Sequence, residues 1–176
     1  MRIRSLTVIQ ELSGREICGL YRNDNGGLTE HGAELKAFLD GFRVVNGVGV
    51  VSREKVAFGM GCLTAQIIAH FTRELGGYYV CPPGTNDCNE DYLYTIYHER
   101  QSRFSWPVLS IQVKVGSPLP FGLPGTRRDH MPIIYNGSVR DFDPVEVESA
   151  WYRRKEILVN DFSDDPVLSA KIIVTR

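Results

Sequence analysis

One stretch constrains this chain more than any other: residues 56–77, VAFGMGCLTAQIIAHFTRELGG. Wound at about 100° per residue, it places Met60, Leu63, Ile67, Ile68, Phe71 and Leu75 in one stripe, the mark of a helix that buries a single face. Gly59 and Gly61 stand at its start. Gly76-Gly77 supplies residues able to take the left-handed conformation that ends a helix. Opposite the stripe, Cys62, Gln66 and Arg73 lie close together, with His70 beside them. A chain with this helix needs an apolar surface to cover the stripe.

The remaining segments read mostly as strands. Residues 3–10 alternate and are rich in β-branched side chains, and residues 16–22 return after the Ser13-Gly14 turn, which predicts an N-terminal hairpin. Residues 29–39 predict a short helix, with Thr29 as its N-cap, Glu30 in its first turn and Gly32 weakening it. In residues 42–51, Asn46-Gly47 is a strong hairpin signal, giving either a tight hairpin or a strand followed by a turn. Residues 78–81 form a short strand. The CPPGTNDCNED loop that follows cannot be helical, because Pro82 and Pro83 lack donors and fix φ. Residues 91–98 and 106–115 predict an antiparallel pair, and residues 116–132 a long irregular loop dense in proline and glycine.

Toward the C-terminus, residues 131–135 predict a strand, Asn136-Gly137 a turn and residues 138–142 a return strand. Asp143 and Pro144 open a helix over 145–154, with Trp151 on its buried side. Residues 155–159 and 168–175 read as strands around an acidic loop at 161–165. Strands outnumber helices and short turns join most neighbours. The class is therefore α+β, a mainly antiparallel sheet packed against one central helix with one or two shorter helices.

Length and charge narrow the function classes. A chain of 176 residues fits one domain spanning 1–176 and buries about 70% of its unfolded surface. A net charge of −1 argues against a general nucleic-acid binder, which needs a basic surface. No apolar run approaches the ~20 residues that span a bilayer, and the alternating N-terminus is no signal peptide, so a cytoplasmic protein without a membrane partner is expected. The four cysteines, Cys18, Cys62, Cys81 and Cys88, read as reduced thiols, with Cys81 and Cys88 placed to bridge a local loop in an oxidising compartment.

In VNG followed by GMGCLTAQIIAHF, then GGYYVCPPGT and DYLYTIY, residues 19–97 resemble a group of small uncharacterised proteins encoded by bacteria and their phages. The resemblance implies one compact domain. It attaches no activity, ligand or catalytic residue.

Four constellations could carry chemistry. Cys62 sits in the first helical turn, where the dipole favours thiolate. His70 is about 12 Å further along the axis, so a Cys62 nucleophile would need another base such as His31 or His98. Six residues separate Cys81 from Cys88 and nine separate Cys88 from His98, which is not the paired spacing of structural zinc, and no metal site is expected. Gly59-Met60-Gly61 offers flexible backbone amides at a helix start but lacks the rest of a dinucleotide or triphosphate fingerprint. Arg127, Arg128 and His130 lie on the proline-glycine loop, where adjacent arginines can clamp a phosphate or carboxylate and Phe121 or Tyr135 can stack a base.

The leading expectation is a non-catalytic small-ligand-binding protein without a cofactor, homo-oligomeric, holding an anionic nucleotide-like molecule through Arg127, Arg128, His130, Gly59 and Gly61. Sequestering a nucleotide would suit a phage accessory protein. The alternatives are a cysteine-dependent hydrolase or transferase using Cys62, and a structural or protein-interaction subunit.

Overall fold

The computed structural model describes residues 2–45, 55–73, 77–86, 88–99, 107–116 and 127–161. The expected Asn46-Gly47 turn, Leu75 of the stripe, most of the proline-glycine loop and the strand at 168–175 lie outside these residues. The fold is α+β. Its main sheet has six strands: β1 (Ser5–Gln10), β2 (Glu16–Arg22), β5 (Tyr78–Cys81), β6 (Tyr92–Glu99), β7 (Val108–Val115) and β8 (Ile133–Ser138), ordered β5-β2-β1-β6-β7-β8. Two short strands, β3 (Arg43–Val45) and β4 (Val56–Phe58), pair separately. The helices are α1 (Ala33–Leu39), α2 (Gly59–Phe71), the single turn α3 (Arg127–His130) and α4 (Pro144–Asp161).

Antiparallel pairing joins β1 to β2 and β6 to β7, as the sequence predicts, and also β2 to β5 and β7 to β8. The exception lies at the centre, where β1 and β6 run parallel with Ser5 opposite Tyr92 and Ile9 opposite Ile96. Period-two alternation sends Ile9, Cys18, Leu20, Tyr94, Ile96, Ile111 and Val113 to one face, where they form a core with the helices. From α2 come Met60, Leu63, Ile67 and Phe71, each worth about 1.5–3 kcal/mol on burial. Leu6, Val8, Leu93 and Met131 form a smaller cluster on the opposite face.

Local chemistry overrides several expectations. Residues 56–58 are a strand rather than the first turn of the central helix. The helix starts at Gly59, whose φ of +75° turns the chain in a conformation that a Cβ disfavours. β3 pairs in parallel with β4, and the residues that would form the other arm of the expected hairpin lie outside the described ones. The helix expected from Thr29 instead opens with a wide π-type turn over Leu28–Gly32, entered from Gly27 with no side-chain cap, before α1 begins.

Asn136-Gly137 does not turn. It runs straight through β8 opposite Gln112 and Ile111, and neither residue takes the positive φ that a hairpin turn needs. The turn comes at residues 139–142, where the expected return strand does not form. Asp143 does cap α4, its Oδ1 accepting from the Val145 and Glu146 amides at 3.0 and 3.1 Å. With no glycine or proline between Val145 and Asp161, α4 continues through the residues expected as a strand at 155–159. Arg153 and Arg154 therefore sit mid-helix, not at a helix end.

Candidate functional site

The polar centre of the molecule is His31, which the π-type turn delivers onto the core face of β1. Such a turn inserts one more residue per hydrogen-bonded ring than an α-helix, and it is often found at functional sites. His31 is fully buried among the rings of Phe71, Tyr78 and Tyr94, with centroids 5.6, 5.6 and 5.2 Å away. Its Nε2 lies 2.7 Å from Thr7 Oγ1 on β1. Its Nδ1 lies 3.3 Å from Arg22 Nη1 and 3.2 Å from the Tyr78 hydroxyl. Arg22 and Tyr78 are cross-strand partners at the ends of β2 and β5, and the guanidinium lies 5.0 Å from the Tyr78 ring centroid. Glu34, one helical turn after His31, accepts from Arg22 Nη1 at 2.5 Å and from the Tyr78 hydroxyl at 3.1 Å.

These contacts define the protonation state. A guanidinium only donates, so His31 Nδ1 is the acceptor, and Nε2–H donates to Thr7 Oγ1. Burial pushes the His31 pKa below its ordinary value, and the Arg22 charge adds to that, against an opposing pull from Glu34. Glu34 Oε2 is 3.8 Å from Nδ1, beyond hydrogen-bond reach of the neutral ring. The imidazole once it is protonated, the Arg22 guanidinium and the Tyr78 hydroxyl hold the Glu34 carboxyl down to about 2 against its partial burial. Burial also raises the Tyr78 phenol. Thr7, His31 and Glu34 echo the order of nucleophile, base and carboxylate, but Thr7 and His31 have no solvent exposure at which to meet a substrate.

Arg22, Glu34, Phe71 and Tyr78 form the inner wall of a cleft of about 880 Å³, within the range of small-molecule sites. The outer wall carries Arg2, Lys55, His70 and Arg73, with Phe38 beneath. Four cationic side chains, Arg2, Arg22, Lys55 and Arg73, face the cleft against two carboxylates, Asp24 and Glu34. The cleft is thus locally positive although the chain carries a net charge of −1. Arg22 is paired with Glu34, and Lys55 donates to the Ala37 and Asp40 carbonyls at the end of α1. Arg2 and Arg73 are exposed and have no ion pair among the described residues.

The residues singled out by sequence fall elsewhere. Arg128 is not a free loop guanidinium. It is 8% exposed, donates to Glu16 Oε1 at 3.0 Å and to the Thr85 carbonyl, and lies 3.8 Å from the fully buried Glu90 carboxylate. Glu16 also receives the Gly84 amide at 2.7 Å, so the arginine fastens the 82–86 loop to β2. Arg127 and His130 lie in α3 beside it, on the far side of the sheet from the cleft. Gly59 makes the left-handed turn into α2. At Gly61 a Cβ would meet open space, so no close backbone approach demands glycine there.

Cys62 is half-buried and receives the Gln66 amide at 3.4 Å, and that amide also reaches the Val56 carbonyl at 3.1 Å. Neither proposed base is beside it: His31 is committed to Thr7 and Arg22, and His98 lies on β6. The polar face expected of this helix is therefore divided, with Cys62 and Gln66 turned to β4, and His70 and, in the turn after α2, Arg73 lining the cleft. Among the described residues, no group of three or more metal-ligating side chains converges, and no helix is long and apolar enough to cross a membrane.

Compared with protein-family models, with curated proteins and with solved structures, the chain matches none.

Proposed function

We propose that the chain is a non-catalytic protein that holds a small anionic molecule in the cleft between α1, the end of α2 and the Arg22–Tyr78 strand ends. The observation that carries this reading is the convergence of Arg2 and Arg73, both without a counter-charge among the described residues, on a cleft already lined by Arg22 and Lys55. Guanidinium groups match phosphate and carboxylate through forked hydrogen bonds, so an anion is the ligand class that satisfies them. The inner wall is preorganised, because His31, Tyr78 and Glu34 fix the Arg22 side chain before any ligand arrives. A binding role fits better than catalysis, since the fully buried His31 has no path to a substrate and neither His31 nor His98 hydrogen-bonds Cys62.

Thermal denaturation with a panel of phosphate, pyrophosphate, citrate and nucleotides tests the proposal. At least one anion raises the midpoint of the parent protein, and Arg73→Ala abolishes the rise. No stabilisation by any anion in the panel would refute it.

A further inference from the structure

Arg2 and Arg73, which have no ion pair among the described residues, share the cleft with a ring platform. The His70 ring is stacked on Phe38, with centroids 4.3 Å apart and planes 22° from parallel. Phe38 is braced in turn by Phe42 at 5.2 Å and Phe71 at 5.8 Å, and Phe71 meets the His70 ring edge-on at 4.8 Å and 89°. One face of the imidazole is therefore covered by Phe38 while the residue as a whole is exposed, which leaves its other face turned away from the protein. A flat ring supported from behind, at the rim of a positive cleft, suits a second flat ring. Base-on-aromatic stacking contributes about 1–3 kcal/mol and tolerates any base.

We infer that the cleft takes a nucleoside monophosphate, its phosphate between Arg2 and Arg73 and its base on the outer face of His70. The inference rests on the anion-binding reading above and adds the ligand class. A phosphate monoester carries a charge of about −1.5 to −2 at neutral pH, which matches the two guanidiniums without an ion pair among the described residues. Phe38 and Phe71 hold the platform rigid, so little side-chain order is lost on stacking. Arg22 and Lys55 are already engaged, so the specific contacts fall to Arg2, Arg73 and His70.

Titration calorimetry with adenosine and uridine monophosphates, ribose 5-phosphate and inorganic phosphate separates the two levels of the argument. Both nucleotides bind the parent about fivefold or more tightly than ribose 5-phosphate, the gain expected of one stacked base. His70→Ala removes that difference while leaving ribose 5-phosphate affinity unchanged. His70→Phe, which keeps a ring on Phe38, restores it and controls for loss of packing. Arg2→Ala and Arg73→Ala weaken nucleotides and ribose 5-phosphate alike. If the nucleotides bind no better than ribose 5-phosphate, or if His70→Ala leaves their advantage intact, the ligand class is wrong while the anion site stands. If neither phosphate nor any phosphate ester binds, the ligand class is wrong, and the anion site falls with it when citrate also fails to bind.

Discussion

His31 Nε2 lies 2.7 Å from Thr7 Oγ1, a buried hydrogen bond that ties the π-type turn to the strand at the centre of the sheet. Because Arg22 occupies the other ring nitrogen as an obligatory donor, this bond sets the tautomer of the whole cluster. Thr7→Val keeps the shape and removes the acceptor. It should cost about 1–3 kcal/mol, the penalty for an unsatisfied buried donor, read as a lower denaturant midpoint with unchanged slope. Nitrogen-15 chemical shifts of the parent ring should report Nε2–H.

Acid should destabilise the protein in two steps. Folding lowers the His31 pKa below 6.5, so the unfolded chain takes up this proton first. Stability is then complete above pH 6.5 and declines as the pH falls below it. Glu34 is held at about 2 against an ordinary 4.5, so a second decline runs from pH 4.5 down toward pH 2. Arg22, Glu34 and Tyr78 are the ionisable groups facing His31, and of these only Glu34 titrates in this window. His31→Asn should erase the first decline and shrink the second, because the imidazole is the largest contributor to the low Glu34 pKa. A flat profile between pH 6.5 and 5 in the parent would contradict the assigned tautomer.

Arg128→Ala should destabilise by about 3–5 kcal/mol, because it strands the fully buried Glu90 and releases Glu16 and the Thr85 carbonyl together. Arg153→Ala, an exposed position within α4, should stay within about 0.5 kcal/mol. Parallel urea titrations check both. Equal effects would show that the Glu16–Arg128–Glu90 contact carries no stability.

Phe71→Ala should cost about 3–5 kcal/mol, since this ring touches His31, Phe38, His70 and Tyr78 at once. It should also weaken anion binding by loosening both cleft walls. Gly59→Ala places a Cβ at φ +75° and should cost about 1–2 kcal/mol without touching the cleft. Calorimetric titration of the two variants beside their melting curves distinguishes the effects.

Much of the fold was legible because it follows local periodicity. The stripe Met60, Leu63, Ile67, Phe71 is buried as its spacing predicts, and β2 spans the same residues, 16–22, as the alternating pattern. The misread segments are those where tertiary pairing outweighs a local signal, such as Asn136 and Gly137 held straight opposite Gln112 and Ile111. The candidate site was mostly illegible. Arg2, Arg22, Glu34, His70, Arg73 and Tyr78 come from separate segments that only the β2–β5 pairing and the packing of α1 on α2 bring together, and none sits in a spaced motif. The expected helix face containing His70 and Arg73 was the one partial clue. Arg128 misled because adjacent arginines on a proline-glycine stretch look solvated, and nothing in sequence announces that Glu16 and Glu90 will surround one of them.

The parallel pairing of β1 with β6 has a consequence for how the molecule is made. β1, which begins at Ser5, is synthesised well before β6, which begins at Tyr92, so one of its edges waits for a distant partner. Until then the sheet can extend only to β5-β2-β1, half of its six strands, with the β6-facing edge of β1 unpaired. Closing so long a loop is slow, and the half-built sheet presents Leu6 and Ile9 on an unpaired edge meanwhile. Nascent chains halted before β6 should therefore remain protease-sensitive and bind holdase chaperones. Chains extended through β7, once clear of the exit tunnel, should become resistant in a single step.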